Sequence, residues 1–144
     1  MLTGQDKSIS PAEWQIMRVI WAQKEASSRY IIDCLAEAMA WKDSTIKTLI
    51  RRLVDKGWLA KEKRGRAYVY QAQVSQEEAS RLELKTIFDN LCQCQAGDLI
   101  IQCIEDNALS QDMIRNIQSA LAKKEPQAVT CSCLPGQCRC QVKH

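Results

Sequence analysis

Apolar residues recur every three or four positions through most of this chain, the spacing of amphipathic helices. Ser10-Pro11-Ala12-Glu13 opens the first: Ser10 can cap it, Pro11 suits the first helical position and Glu13 completes a capping box. Met17, Ile20 and Trp21 form its inward stripe, and the helix should run to about Lys24. A second helix begins near Ser27 or Ser28 and carries Ile31, Cys34, Leu35 and Ala38 at helical spacing, which makes Cys34 a small core residue. The third is the clearest. Ile46, Leu49, Ile50, Leu53 and Val54 make one complete buried stripe, Asp43 or Ser44 can cap it, and Gly57 ends it after Lys56.

From Trp58 the period becomes extended. Residues 58–63 and 66–70 flank Arg64-Gly65, which reads as the turn of a hairpin. Three helices followed by a basic hairpin make a winged-helix arrangement. Ser75-Gln76-Glu77-Glu78 then starts a helix to about Leu91, with Ala79, Leu82, Ile87, Phe88 and Leu91 on its apolar side. Helical segments follow over 98–105 and 111–123, carrying Leu99, Ile100, Ile101 and Ile104, then Met113, Ile114, Ile117 and Leu121. Small helices cannot hide so many apolar residues alone. The resulting patch predicts a homodimer interface, with packing back onto the first domain as the alternative. Beyond Lys124 the chain has few large apolar residues and cannot build a core.

The fold class expected is mainly α with a small β-hairpin wing (α+β). It comprises a winged helix-turn-helix domain over 1–74, a helical dimerisation region over 75–124 and a cysteine-rich tail over 125–144. A hydrophobic content of 46% and a charged content of 26% suit such a folded protein. No apolar run approaches the ~20 residues of a membrane-spanning helix. Met1 to Lys7 has no secretion signal, so a cytoplasmic location and no membrane partner are expected. In a reducing cytosol, clustered thiols more often bind metal than form disulfides, and four of the eight cysteines fall in the last fourteen residues.

The net charge of +3 is unevenly spread. Residues 42–73 hold nine basic and three acidic residues, a local excess of six positive charges that leaves −3 for the rest. A basic block in an otherwise acidic chain points to a polyanion, although a merely solvated charged face would look the same. The third helix sharpens this, because its outer face combines hydroxyls with long cations. Lys47, Thr48, Arg51 and Arg52 are candidates for major-groove contacts, and Ser44 and Thr45 for a phosphate at the helix N-terminus. Arg64, Gly65 and Arg66 at the hairpin tip are placed to reach the minor groove or backbone. Double-stranded DNA is the partner this predicts.

The tail reads Cys131-Ser132-Cys133-Leu134-Pro135-Gly136-Gln137-Cys138-Arg139-Cys140, two Cys-x-Cys pairs joined by four residues. Pro135-Gly136 is a turn signal that can fold the pairs together. Four thiolates suit tetrahedral Zn(II), and the softer Cu(I) also selects thiolates and can share bridging sulfurs. A structural disulfide pair and a simple metal buffer remain alternatives. Cys92, Cys94 and Cys103 read as structural or incidental thiols, with a second metal site as the alternative, and His144, the single histidine, as a terminal residue that can at most assist metal binding. With no Ser/His/Asp set and no glycine-rich phosphate loop, the chain is not expected to be an enzyme.

Residues 10–14 and 17–21, and the run Ser44-Thr45-Ile46-Lys47-Thr48-Leu49-Ile50-Arg51-Arg52-Leu53-Val54-Asp55-Lys56-Gly57, resemble the BlaI/MecI/CopY repressor family over about residues 7–124. The tail motif is similar to that of its copper-responsive, CopY-type members. The resemblance implies a dimer on a palindromic operator of a copper-homeostasis operon. Zinc would support the DNA-bound form, and Cu(I) would displace zinc and release the DNA. A copper-donating protein is a further partner in that reading. Family members that respond to β-lactams are inactivated by proteolysis in the dimerisation region; the cysteine tail sets this chain apart from them. The alternatives are a repressor triggered by thiol oxidation or by zinc alone, and a metal-buffering or copper-delivery protein whose basic helix is incidental.

Overall fold

The computed structural model describes residues 8–140, and divides the chain into two compact units, 1–83 and 84–144. Within the first, α1 (Pro11–Gln23), β1 (Glu25–Ser27), α2 (Ser28–Met39) and α3 (Asp43–Asp55) lead into the hairpin of β2 (Leu59–Arg64) and β3 (Ala67–Ala72). The fourth helix, α4 (Gln76–Asp89), leaves this unit for the second. The expected mainly helical winged-helix fold is present. Lys143 and His144 lie outside the described residues, as do Met1 to Lys7.

Local chemistry explains the boundaries. The Ser10 hydroxyl accepts from the Glu13 backbone N–H, and the Glu13 carboxylate accepts from that of Ser10, each at 3.1 Å. Ser27 caps α2 in the same way through the Tyr30 N–H. The third helix ends in a Schellman motif: Gly57 N–H bonds Val54 O and Trp58 N–H bonds Leu53 O, each at 3.0 Å, with Gly57 at φ 80°. Its start departs from expectation. Lys42, not Asp43 or Ser44, occupies the cap position and gives no side-chain hydrogen bond, so the first turn relies on the Asp43 charge instead.

The core lies between these helices and the base of the wing. Ile16, Met17 and Ile20 of α1 and Ile31 and Ile32 of α2 meet Ile46, Leu49, Ile50 and Leu53 of α3. Trp58, Leu59, Val74 and Ala79 close it from the wing side. Burying one such aliphatic side chain contributes about 1.5–3 kcal/mol. The Trp21 indole N–H donates to Val74 O at 2.8 Å, fastening α1 to the segment beyond the wing. Glu13 is buried in this packing, and the Lys56 ammonium donates to both its oxygens at 2.9 and 3.0 Å. Burial opposes the Glu13 charge, but Lys56 and the Ser10 donors outweigh it and hold the carboxyl below its usual range.

Three details correct the sequence reading. Cys34 is exposed; the inner face of α2 is Ile31, Ile32, Leu35 and Ala36, one step around the helix. The strand β1 was not anticipated. At three residues it is too short to show an alternation, yet it pairs Glu25–Gln71, Ala26–Tyr70 and Ser27–Val69 to make a sheet of order β1-β3-β2. The hairpin turn sits one residue later than expected. Arg64 pairs with Ala67, and Gly65 and Arg66 form the loop, with Gly65 at φ 64° as tight hairpin turns require.

The second unit has a different character. It contains the end of α4, a 3-10 turn at Gln93–Gln95, α5 (Ala96–Asp106), α6 (Gln111–Lys123) and the tail. No residue of α5 or α6 is buried, and Ile100, Ile101, Ile104, Met113 and Leu121 are each at least 41% exposed. Ser110 caps α6 through the Met113 N–H, so the helix is well specified locally while its apolar face is left open.

Candidate functional site: a nucleic-acid interface and a thiol cluster

The third helix buries Ile46, Leu49, Ile50 and Leu53, and this fixes what it presents outward. Ser44, Thr45, Lys47, Arg51 and Arg52 are exposed, and Thr48 is half-buried with its hydroxyl donating to Ser44 O at 2.9 Å. Ser44, Thr45, Thr48, Leu49 and Arg52 line a shallow depression on this face. Hydroxyls set low between longer cations allow a close approach to a phosphate backbone, with guanidinium groups extending further toward base edges.

The wing supplies a second basic element. Gly65 and Arg66 are exposed at its tip, and the Lys61 ammonium lies 4.9 Å from the centre of the Tyr68 ring. Arg64 is engaged within the sheet. Its guanidinium donates to both Glu25 oxygens at 2.6 and 3.0 Å and to Glu62 at 2.9 Å, and the Gln71 amide also donates to Glu25 at 3.1 Å. The Arg64 and Gln71 donors hold the Glu25 carboxyl below its usual range, and the two carboxylates keep Arg64 firmly charged. Arg64 therefore spans the sheet from β2 to β1 and braces the wing. Glu25 gave no signal in the sequence, because the strand carrying it had none.

The tail cysteines converge. Leu134-Pro135-Gly136-Gln137 forms a turn in which Gln137 N–H bonds Leu134 O at 3.1 Å, with Gly136 at φ 84°, the glycine geometry of a type II turn. The turn brings Cys131 Sγ within 3.8 Å of Cys138 Sγ, and Cys133 Sγ within 3.7 Å of Cys140 Sγ. A fifth sulfur joins them. Cys92, buried between α4 and the 3-10 turn, lies 3.2 Å from Cys140 Sγ and accepts from Ser132 N–H at 3.4 Å. The Ser132 hydroxyl accepts in turn from Gln93 N–H at 3.2 Å. The sulfurs of Cys92, Cys131, Cys133 and Cys140 all lie within 4.8 Å of one another.

A tetrahedral metal–thiolate centre has bonds near 2.3 Å, so its sulfurs stand about 3.8 Å apart. Within the four, the Cys133–Cys140 separation of 3.7 Å matches that spacing and the Cys92–Cys140 separation of 3.2 Å is tighter; with all four sulfurs within 4.8 Å of one another, they are close enough to hold one metal ion. Charge is distributed accordingly. The backbone N–H groups of Cys94 and Ser132, with the Cys140 thiol, pull Cys92 down to about 5. The neighbouring thiols move the other way: contacts to Cys131 and Cys92 push Cys133 up to about 12, and the Cys92 contact raises Cys140. One negative charge in the cluster thus resists a second, a penalty that a bound cation removes. Cys103 is exposed on α5, and Cys94 is half-buried beside Cys92.

The sequence reading identified the tail cysteines as the metal ligands and set Cys92 apart from them as a structural or incidental thiol. No local pattern ties Cys92 to residues some forty positions later in the chain; only the packing of the tail beside the 3-10 turn does so.

The sequence pattern of the penicillinase repressor family matches residues 9–123. A 16.5 kDa protein from the ptsI 3′ region of Latilactobacillus sakei is 40% identical over 136 residues, covering 92% of this chain and 93% of its own. The methicillin resistance regulatory protein MecI of Mammaliicoccus sciuri is 32% identical over 116 residues, covering 81% of this chain and 94% of MecI. Among solved structures, that of the CopR repressor is 40% identical, with a TM-score of 0.42, covering 47% of this chain and 99% of that one. Among the described residues, no helix is long and apolar enough to cross a membrane. The chain belongs to the penicillinase repressor family, whose members are DNA-binding transcriptional repressors and not enzymes.

Proposed function

We propose that this chain is a metal-responsive repressor, and specifically a copper-responsive one. A cytoplasmic homodimer holds a palindromic operator of a copper-homeostasis operon when its thiols carry Zn(II), and releases it when Cu(I), delivered by a copper-donating protein, displaces the zinc. One observation carries the reading: thiols of Cys131, Cys133 and Cys140 gather at metal-ligand spacing, with Cys138 against Cys131, in a chain of a repressor family. Zn(II) prefers four such ligands, and Cu(I) accepts fewer and tolerates bridging sulfurs, so one set of atoms can hold the two ions in different geometries.

Ser44, Thr45, Lys47, Thr48, Arg51 and Arg52 read the operator from α3, and Gly65 and Arg66 meet the adjacent groove or backbone. Arg64 holds the wing in shape for that contact. The exposed apolar faces of α5 and α6 supply the dimer interface, which sets the spacing of the two recognition helices. Half-sites read about one helical turn apart make binding sensitive to that spacing. Tail chemistry and operator grip are thereby linked through the dimer.

A second reading has its own support: sulfurs 3.2 to 3.8 Å apart are also placed to form disulfides on oxidation. A single titration separates the two. The repressor is bound to a duplex that it has itself selected from random sequence, and the complex is titrated separately with Zn(II), Cu(I) and a mild oxidant. Release by Cu(I) alone supports the copper sensor; release by oxidant and not by Cu(I) rejects it. Failure to retain any duplex at moderate salt would favour a metal buffer.

A further inference from the structure

The tail motif offers four cysteines of its own, yet the sulfurs that come mutually close are not those four. Cys92 stands where the motif alone would put Cys138. It is 7% exposed, follows the end of α4, and lies 3.2 Å from Cys140 Sγ. Cys138 meets Cys131 at 3.8 Å but is outside the set of sulfurs lying within 4.8 Å of one another. Two backbone contacts fix the arrangement from both sides: Ser132 N–H donates to Cys92 Sγ, and Gln93 N–H donates to the Ser132 hydroxyl. Ser132, which is not itself a candidate ligand, thus ties the tail to the 3-10 turn through both its backbone N–H and its hydroxyl.

We infer that Cys92 is a ligand of the divalent metal site, together with Cys131, Cys133 and Cys140, so that binding the ion staples the tail to the junction between α4 and α5. This rests on the proposal that the tail thiols bind metal, and adds to it the residue through which occupancy is felt elsewhere. A site built from the tail alone would close a loop of ten residues and constrain nothing outside it. A site that includes Cys92 closes the chain from the end of α4 through α5 and α6, the two helices with open apolar faces. Occupancy then restrains the region that carries the dimer contacts. Cys138, 3.8 Å from Cys131, can join a Cu(I) cluster that uses the tail pairs, and such a change of ligands releases Cys92.

The full-length wild-type chain tests this directly. It is loaded with ¹¹³Cd(II), a thiolate-seeking stand-in for zinc, and the protons coupled to the metal are assigned by ¹H–¹¹³Cd correlation. The Cβ protons of Cys92, Cys131, Cys133 and Cys140 should all correlate with one cadmium resonance. Correlations from the tail cysteines without Cys92 would overturn the inference while leaving the metal-sensor proposal in place. Absence of any cadmium binding would overturn both. In parallel, Cys92→Ser should weaken zinc binding ~10-fold or more in competition with a chromophoric chelator, since even outer-shell losses cost that much. Cys103→Ser, on exposed α5, should match wild type; equal zinc affinity for Cys92→Ser and wild type would overturn the assignment.

Discussion

The two units of this chain solve the same problem in opposite ways. In the first, every helix has an inner face that finds a partner within the unit: α1, α2 and α3 share one core, and Trp58, Leu59 and Val74 seal it. In the second, α5 and α6 have equally regular apolar stripes and bury none of them. What is buried there is a thiol, Cys92. The contrast teaches that amphipathic periodicity specifies a helix but not its partner. Under the proposed function, the open face and the cluster of sulfurs are what a second copy and an ion would complete.

The sharpest way to break that contrast is to disturb each unit separately. Leu53→Ala empties a fully buried position in the shared core and should cost about 2–5 kcal/mol of stability, read as a lowered midpoint in denaturant. Ile117→Glu on α6 should leave the transition of the first unit in place and instead dissociate the dimer, read by sedimentation. A monomeric wild-type chain would remove the proposed interface.

Next in size is the functional face of the first unit. Arg51→Ala and Arg52→Ala should each weaken operator binding by about 1–3 kcal/mol, roughly 5- to 150-fold, with zinc stoichiometry unchanged. Unaltered affinity would take that residue off the DNA contact surface.

A comparable or smaller effect is expected at Glu13. Glu13→Gln leaves Lys56 without its carboxylate partner and should cost about 1–3 kcal/mol near neutrality. The sign with pH follows from the depressed carboxyl. Its contribution is present above the unfolded value of 4.5 and is lost as pH falls through the lower folded value. Wild type and Glu13→Gln should therefore differ most at neutral pH and converge in acid. A gap that stayed constant with pH would contradict the ion pair.

The smallest change refines a helix end. Ala40 adopts the left-handed region at φ 54°, where Cβ is crowded, and Ala40→Gly should stabilise the first unit by about 0.5–1 kcal/mol. Loss of stability in thermal melts would contradict that reading.

How much of this was legible in the sequence follows the same division. The α3 stripe, its glycine stop, the capping box at Ser10 and the Ser75 hydroxyl cap on the Glu78 N–H are local signals, and the structure realises them. Cys34 went astray because Ile31 and Leu35 anchor two inner faces that differ by one step around the helix; contact with α1 and α3 decides for Ile32 and Ala36. The strand at Glu25–Ser27 exists only because β3 pairs with it, so no window of sequence could display it. The tail motif was conspicuous as paired cysteines around Pro135-Gly136. Cys92 was not, since its relation to Cys140 is made by tertiary packing.

The central claim is that thiol chemistry in the second unit governs operator grip by the first. It is tested most directly by measuring anisotropy of a labelled operator duplex with the zinc-loaded and Cu(I)-loaded repressor, beside the double variant Cys131→Ser/Cys133→Ser. For wild type, Cu(I) should raise Kd by about 5- to 150-fold, the range of a 1–3 kcal/mol coupling, while the double variant keeps one Kd under both conditions. The same Kd for wild type in both metal forms would contradict the account.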